Sequence, residues 1–355
     1  MADKYLMEGH KLHWHLNKVV DWQEGKPVVP VTIDMGINQV CNIACKFCFF
    51  SVATNQKTDK IPTESLLKFL TDAAESGVRA IYFAGDGEPL LHPGIWDAVA
   101  HGASVGLDMG ISTNGVAMKS SNIEGILKSL KLIRFTFPAA QPEVYAEITG
   151  TRETTYLKVL ENIKKCVEIK KKHNLEIAIG MHMVLIPEAV EEILPYARLG
   201  RDLGVDYAVV KQYSEGAGTN RKDLLGVDYE KLIPVFDQAE SYSSDTYSFI
   251  VKRSKMQKYT RAYDSCYGTE FLAHISGDGD MFPCENFSGD RNFFMGNIID
   301  ESFVDIIYGK RYREVLSKVS NDVDVHKQCG SPCRPDQINE YLWKLKQQPE
   351  HTNFI

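Results

Sequence analysis

Short runs of β-branched residues alternate with longer segments of helical periodicity between residues 31 and 212, and this alternation constrains the fold more than any other feature. Short apolar runs bounded by turn residues indicate buried strands, whereas apolar residues spaced three or four apart indicate helices. Strands are predicted at 31–37, 80–85, 108–115, 132–137, 177–186 and 206–212, and helices near 63–76, 93–104, 120–130, 154–173 and 188–203. Six such β-α units favour an α/β fold with a parallel sheet curled into a full or partial barrel. Active sites of such sheets lie at the carboxyl ends of the strands.

Composition and charge exclude several classes of protein. The 355 residues include 40 Lys and Arg against 47 Asp and Glu, and this net charge of -7 argues against a protein that coats nucleic acid. No apolar run approaches the roughly 20 residues of a membrane span, and the polar N-terminus lacks the apolar segment of a secretory signal. The 16 Phe and 16 Tyr exclude a disordered chain. We therefore expect a folded, cytoplasmic protein with no membrane or nucleic-acid partner.

The alternation stops after the sixth predicted strand. Residues 214–223 (SEGAGTNRKD) are rich in glycine and charge, which is typical of a loop. A helix is predicted near 229–241, and a hairpin at 270–283 with its turn at 276–279 (SGDG). The predicted organisation is an N-terminal extension (1–30), the barrel (31–213), a linker and helix (214–260), a small α+β domain (261–340) and a C-terminal tail (341–355).

Eight cysteines indicate metal or redox chemistry, because thiols clustered in a reducing compartment rarely form disulfides. They are Cys41, Cys45, Cys48, Cys166, Cys266, Cys284, Cys329 and Cys333. The first three follow the first predicted strand in CNIACKFC, and a tetrahedral zinc site would want a fourth ligand. Three thiolates instead suit a [4Fe–4S] cluster whose fourth iron is open to a small molecule. A zinc site that borrows a distant ligand, or three incidental cysteines, remain alternatives.

The CX3CX2C spacing, with the aromatic Phe47 before the third cysteine, resembles the radical S-adenosylmethionine (radical SAM) superfamily, and the resemblance covers about residues 30–335. It implies a partial (β/α)6 TIM-like barrel and a [4Fe–4S] cluster whose open iron binds S-adenosylmethionine (SAM). In that family the cluster cleaves SAM to methionine and a 5′-deoxyadenosyl radical, which abstracts hydrogen from the substrate. The resemblance also implies a reducing partner such as flavodoxin or ferredoxin.

Motifs at the ends of three further predicted strands resemble the SAM contacts of that family. AGDGEP (84–89) looks like the GGEP motif, in which glycines let the backbone approach a ligand and Glu88 complements an ammonium group. STNG (112–115) looks like the ribose and carboxylate contacts. The alternative for 84–89 is an ordinary glycine-rich turn, and the alternative for 112–115 is a turn with a helix-capping residue. The residues that the resemblance assigns to SAM are Phe47, Gly85, Asp86, Gly87, Glu88, Ser112, Asn114 and Thr136, of which Asp86 replaces the commoner glycine.

The late cysteines look like a second iron–sulfur centre. Cys266, Gly279 and Cys284 form CX12GX4C, which resembles the opening of the SPASM/Twitch extension of radical SAM enzymes, and Cys329 and Cys333 complete a set of four. Four thiolates suffice for one auxiliary [4Fe–4S] cluster, so the shorter Twitch form fits better than a full SPASM domain. A four-cysteine zinc knuckle is one alternative, and three ligands with one hydrogen-donating thiol is another.

Polar residues at the end of the sixth strand are the catalytic candidates: Lys211, Tyr213 and Glu215. Lys211 can pair with a carboxylate or phosphate, or act as a base if desolvated, although a solvated strand exit explains it as well. The short N-terminal extension and the few cysteines favour a small polar substrate, such as a sugar, cyclitol or nucleotide-like compound, changed by dehydrogenation, epimerisation or elimination. A peptide- or protein-modifying maturase is the second hypothesis. A zinc-stabilised α/β binding module is the third.

Overall fold

A computed structural model describes residues 5, 11–50, 58–214, 221–253, 256, 260–330 and 333–354. Its strands are β1 (Thr32–Met35), β2 (Ala80–Phe83), β3 (Asp108–Thr113), β4 (Leu132–Thr136), β5 (Ala178–Leu185), β6 (Tyr207–Gln212), β7 (Ser248–Val251), β8 (Leu272–Ile275), β9 (Asp280–Phe282) and β10 (Gly296–Asn297). They form one sheet in the order β10-β9-β8-β1-β2-β3-β4-β5-β6-β7. The strands from β8 to β7 in this order pair in parallel, and β9 and β10 add an antiparallel edge. The fold is the expected α/β partial barrel.

Helices follow most of the parallel strands, as the alternation of the sequence predicts. They are α1 (Leu16–Gln23), α2 (Thr63–Ser76), α3 (Ile95–Ser104), α4 (Ile123–Ser129), α5 (Pro142–Thr149), α6 (Glu153–His173), α7 (Ile193–Leu203), α8 (Ile233–Glu240), α9 (Phe303–Tyr308), α10 (Lys310–Asp322), α11 (Val325–Gln328) and α12 (Asp336–Lys346). Helix α2 starts after Pro62 with Glu64 in its first turn, and it ends at Gly77, whose left-handed backbone closes the last turn. None of the described helices is long and apolar enough to cross a bilayer.

Alternation along the strands separates two environments. On β1, Ile33 and Met35 are fully buried in the large apolar core, in which residues of the sheet and of the surrounding helices pack together. The side chain between them, Asp34, points to the other face of the sheet, because successive side chains of a strand alternate. Tyr82 is its partner in register on β2. The inner face of the barrel therefore carries polar side chains, whereas the outer face holds the core.

Two strands of the sheet were not expected as barrel strands. All six predicted strands form, but β7 lies within the segment assigned to linker and helix, and it pairs in parallel with β6. The predicted hairpin is confirmed as β8 and β9, joined by the turn at 276–279. Its first strand also pairs in parallel with β1, in the register Asp34 to His274. The C-terminal region thus continues the barrel sheet instead of standing apart from it.

The N-terminal and C-terminal helices pack together beside β8. Val19 and Trp22 of α1 and Leu342 of α12 share a small apolar cluster with Phe271. Phe271 immediately precedes β8, and its carbonyl accepts a hydrogen bond from the backbone N–H of Val31 at 2.8 Å. Helices α1 and α12 therefore pack against the start of β8.

Candidate active site

The early cysteines lie on a loop that follows β1 and is held by the end of α5. The backbone N–H groups of Ala44 and Lys46 donate to the carbonyls of Thr149 and Ile148, both at 2.9 Å. These carbonyls belong to the last turn of α5, which has no further helical partners for them. A tight turn inside the loop, in which the N–H of Cys48 donates to the carbonyl of Cys45 at 3.1 Å, brings the cysteines together.

The thiols of this loop face one another. Burial raises the pKa of Cys45 well above its ordinary value, and the neighbouring Cys48 and Cys41 raise it further. Burial also raises the pKa of Cys41 to about 11, with Glu88 and Cys48 among the smaller causes. Residue Cys41 as a whole is exposed, and Cys45 and Cys48 are half-buried. Bound iron would supply positive charge that favours the thiolate form of all three.

The donor set fits an iron–sulfur cluster. Among the described residues no three His, Cys, Asp or Glu side chains are grouped to hold a single metal ion. In an iron–sulfur cube each thiolate binds its own iron, so its sulfurs do not converge on one point. The side-chain amide of Asn114 lies 3.7 Å from the sulfur of Cys41, where it donates toward the ligand atom. The 112–115 motif is thereby linked to the cysteine loop.

The two glycines of the turn at 84–89 lie at positions where a side chain would not fit. Gly85 and Gly87 have φ values of 145° and 89°, a region that side chains rarely adopt. A Cβ atom on Gly87 would come 2.5 Å from the carbonyl oxygen of Asn38. The loop that carries the first cysteine can therefore lie directly against this turn.

Glu88 joins the ends of β2 and β3. Its carboxylate accepts from the N–H groups of Asn114 at 2.7 Å and Leu90 at 3.0 Å, and from the hydroxyl of Thr113. It is only 3% exposed, and burial raises its pKa. Both oxygens are thus engaged within the protein, which fixes the two loops that the sequence assigns to SAM.

Asp86 connects the same turn to the C-terminal hairpin. Its carboxylate accepts from the side-chain amide of Gln39 at 3.2 Å and from the N–H of Gly277 at 3.0 Å. A Cβ atom on Gly36 would overlap the other carboxylate oxygen, so the end of β1 must be bare there. The residue that replaces the commoner glycine of the motif therefore ties the turn at 84–89 to the hairpin of the second domain.

A cavity of about 170 Å³, which we call the barrel cavity, lies between the two sets of cysteines. Phe47 and Phe49 of the early cysteine loop line one part of it, and Cys284 and Cys333 line another. Its charged and ring-bearing lining on the strands and in the second domain comprises Asp34, Tyr82, Arg134, Lys211, Lys252, His274, Glu285 and Arg334. A cavity that joins both metal-binding regions through polar side chains is suited to a substrate.

The remaining predicted site residues fall into four groups. Ser112 and Thr136 are half-buried, on β3 and β4, and in register with Arg134 and His182. Lys211 lines the barrel cavity, as expected of a substrate contact. Tyr213 is 3% exposed and packs with the apolar core, not among the residues that line the cavity. Glu215 lies outside the described residues.

The sequence did not identify most of the polar lining. Asp34, Arg134 and His274 each stand alone between apolar residues of a short strand, and this alternation was the available signal. Arg334 reaches the cavity from the segment before α12, and its guanidinium pairs with Asp34 at 2.7 Å. That contact joins residues 300 positions apart, which no local pattern reveals.

The four late cysteines come together in the second domain. Burial raises the pKa of Cys284 well above its ordinary value, and the other three thiols add to the effect. Cys266 is 7% exposed and accepts from the side-chain amide of Asn339 at 3.3 Å. Four thiolates suffice for a fully ligated cluster. Cys166 lies apart, fully buried in the core on α6.

Comparison with known proteins identifies the class of enzyme. Residues 35–199 match the Radical SAM superfamily, and residues 266–334 match SPASM, an iron-sulfur cluster-binding domain. The chain belongs to the radical SAM superfamily and carries a C-terminal SPASM domain. It is a radical SAM enzyme, with SAM, a SAM-binding [4Fe–4S] cluster and an auxiliary cluster as its cofactors.

Individual relatives have different stated activities. The chain is 25% identical over 300 residues to the tungsten-containing aldehyde ferredoxin oxidoreductase cofactor-modifying protein of Pyrococcus furiosus, covering 78% of this chain and 80% of that protein. It is 22% identical over 291 residues to the PqqA peptide cyclase of Xanthomonas oryzae, covering 78% and 74%. The crystal structure of Streptococcus suis SuiB bound to S-adenosylmethionine matches with a TM-score of 0.67 at 18% identity, covering 88% and 74%.

Proposed function

We propose that this enzyme cleaves SAM reductively and uses the resulting radical to abstract hydrogen from a small polar substrate held in the barrel cavity. The observation that carries the proposal is the position of that cavity, which touches both the early cysteine loop and the ligands of the second domain. A substrate there would face the SAM-binding region on one side and an auxiliary cluster on the other. Dehydrogenation, epimerisation or elimination is the expected outcome.

Each proposed role follows from a position in the fold. Cys41, Cys45 and Cys48 ligate the cluster that binds SAM and, when reduced, supplies the electron for its cleavage. The glycines of 84–89 let the backbone approach SAM closely. SAM would also be contacted by Ser112, Asn114 and Thr136, at the ends of β3 and β4. Phe47 covers the same region from the cysteine loop.

The remaining roles concern the substrate and the electrons. Lys211 contacts the substrate from the end of β6. Tyr213 packs behind it, and Glu215 is retained as a candidate from the sequence alone. Cys266, Cys284, Cys329 and Cys333 would hold the auxiliary cluster, which would supply an electron acceptor for a two-electron oxidation of the substrate. A flavodoxin or ferredoxin is the proposed reductant.

The size of the cavity favours a small substrate. A volume of about 170 Å³ with a polar, charged lining suits a sugar, cyclitol or nucleotide-like fragment better than an extended chain. The relative from Pyrococcus furiosus, named for modifying a cofactor, is consistent with a small-molecule substrate.

A peptide substrate is the second candidate. The similarity to the PqqA peptide cyclase, which spans 78% of this chain, favours it. In that case one side chain of the peptide would enter the barrel cavity while its backbone remained outside. Product analysis with deuterated small molecules and peptides separates the two candidates, because deuterium appears in 5′-deoxyadenosine only from the true substrate.

The test of the proposal is SAM cleavage by anaerobically reconstituted protein. Wild-type protein is expected to form 5′-deoxyadenosine in the presence of a strong reductant, and Cys41→Ala is expected to form none. Cys166→Ala is the matched control, because this thiol is buried in the core on α6 and has no proposed ligand role. Loss of activity in Cys166→Ala alone, or its survival in Cys41→Ala, contradicts the proposed ligand set.

A further inference from the structure

Positive side chains converge on one side of the barrel interior. Arg134 on β4, Lys211 on β6 and Lys252 directly after β7 all line the barrel cavity. Lys252 stands next to the end of β6, because its backbone N–H donates to the carbonyl of Val210 at 3.0 Å. The sheet has the order β4, β5, β6, β7, so β5 separates the strand of Arg134 from the strand of Lys211. The three cations therefore approach the cavity from one continuous wall.

His182 is on β5, between β4 and β6, and it is not among the residues that line the barrel cavity. It is in register with Thr136 of β4 and Val209 of β6, and it is 6% exposed. Burial lowers its pKa well below the ordinary value, and Arg134, Lys211 and Lys252 lower it further. All three cations therefore lie near this imidazole.

The imidazole of His182 has no hydrogen-bond partner within the described part of the chain. Neither ring nitrogen makes such a bond, although the side chain is almost completely buried. A buried polar group without a partner costs free energy, and such groups in native proteins usually face a ligand or water. A neutral imidazole retains one N–H group that can donate to an acceptor.

Two acidic residues also line the cavity: Asp34 on β1, and Glu285, which follows Cys284 in the second domain. Asp34 on β1 pairs with Arg334 at 2.7 Å, and the guanidinium of Arg334 also lies over the ring of Tyr82, 5.7 Å from its centroid. Arg134 lies over the same ring at 5.4 Å. The guanidinium groups of Arg134 and Arg334 therefore lie over the same ring, so the cationic residues from β4 to β7 adjoin the Asp34–Arg334 ion pair.

We propose that the substrate carries an anionic group, a carboxylate or a phosphate, which Arg134, Lys211 and Lys252 bind inside the barrel. This inference rests on the proposed function, because it names the substrate class of the same cavity. The three cations also contact other protein groups, so the anion joins an existing network. Charge-assisted hydrogen bonds from arginine and lysine are the strong contacts by which proteins hold such anions.

The test is calorimetric titration of the reconstituted holoenzyme, saturated with SAM so that anions cannot occupy the SAM site. Inorganic phosphate and succinate are the probes for the two sources of negative charge, and neutral myo-inositol is the comparator. Wild-type protein is expected to bind at least one anion saturably at one site, and more tightly than inositol. The anion that binds more tightly then shows whether the substrate's anionic group is a phosphate or a carboxylate.

Two variants and a control locate the site. Arg134→Gln and Lys252→Met are each expected to weaken the binding of that anion about tenfold or more. Lys211→Gln, at a half-buried strand end, substitutes for either variant if it fails to load its clusters. Lys310→Gln is the matched control, because this lysine is on α10 with its side chain 91% exposed, and its anion affinity is expected to be unchanged.

Three results overturn the inference: no anion binding by wild-type protein, equal binding of inositol, or an equal loss in Lys310→Gln. The proposed function fails separately, through the absence of 5′-deoxyadenosine in reactions of the wild-type protein. Wild-type protein that makes 5′-deoxyadenosine but binds neither anion refutes the anion site alone. Wild-type protein that binds the anion at this site but never cleaves SAM refutes the reaction alone.

Discussion

A single asparagine organises the first of the late cysteines. Asn339 on α12 is fully buried, and its carbonyl oxygen accepts from the N–H groups of Tyr267 at 2.8 Å and Gly268 at 2.6 Å. Its amide group donates to the sulfur of Cys266. One side chain thus shapes the turn after the cysteine and contacts the sulfur itself, a position from which it can tune a bound cluster.

Replacing this residue should destabilise the second domain. Asn339→Ala leaves two buried N–H groups without their acceptor, and the expected cost is about 1–3 kcal/mol of folding free energy. Thermal unfolding of the holo-protein, followed by circular dichroism, measures it. Asn321→Ala, at an exposed position on α10, is the matched control and should leave the melting temperature nearly unchanged. Equal shifts in both variants would refute the role of Asn339.

A buried carboxyl group gives the fold a pH dependence. Burial raises the pKa of Glu270 to about 7, against a smaller opposing effect of Lys346. Because the folded pKa lies above the unfolded value, folding favours the protonated acid. The stabilisation is therefore complete below about pH 4.5 and is lost as the pH rises through about 7.

The variant Glu270→Gln should remove this loss. Between pH 5.5 and pH 8, wild-type protein should lose about 1–3 kcal/mol of stability that the variant retains. Melting temperatures of both proteins across this range provide the measurement. Glu314→Gln, on α10 with the side chain 48% exposed, serves as the control. Parallel pH profiles for wild-type protein and Glu270→Gln would show that Glu270 is not the group responsible.

At the scale of elements, close packing of neighbouring strands depends on particular glycines. Gly180 on β5 is in register with Tyr207 on β6, and a Cβ atom on this glycine would overlap the tyrosine ring. Tyr207 is almost completely buried inside the barrel with Val209 and Ile250. The ring therefore fills the space that a side chain at position 180 would need.

Gly180→Ala should cost about 1–3 kcal/mol of stability, because the ring and the strand must shift to accept the methyl group. The matched substitution is Gly125→Ala on α4, where the added carbon meets no heavy atom within 4 Å. An exposed helical glycine replaced by alanine should instead gain about 0.5–1 kcal/mol. Urea unfolding of the two variants should give opposite signs, and a neutral result for Gly180→Ala would contradict the packing.

Strands β1 to β6 could be predicted from the sequence, whereas the pairing of β7 and β8 with them could not. Apolar runs located β1 to β6 because each buries a face against helices over several residues. Strand β7 is only four residues long, between Tyr247 and Lys252, so no local period separates it from a loop. The parallel pairing of β8 with β1 depends on residues about 240 positions apart. The hairpin turn could be read from SGDG, but its attachment to the barrel could not.

At the scale of the whole molecule, one continuous sheet carries the loops in which both sets of cysteines lie. The early loop leaves β1, and the late cysteines surround the hairpin whose first strand pairs with β1. Asp86 adds a direct link between the turn at 84–89 and Gly277 of that hairpin. The motifs predicted both metal-binding regions, because clustered thiols are a local signal. Of the charged lining between them only Lys211 was predicted, because the way these residues meet depends on which strands become neighbours in the sheet.

The central claim is that the cluster held by Cys41, Cys45 and Cys48 binds SAM, and electron paramagnetic resonance of the reduced holo-protein tests it most directly. The spectrum of wild-type protein should change on addition of SAM, and the change should persist in the double variant Cys284→Ala with Cys333→Ala. In the triple variant of Cys41, Cys45 and Cys48 to Ala, the auxiliary signal should remain and show that the protein is folded, while the response to SAM disappears. A wild-type spectrum indifferent to SAM, or a response that survives in the triple variant, would contradict the account.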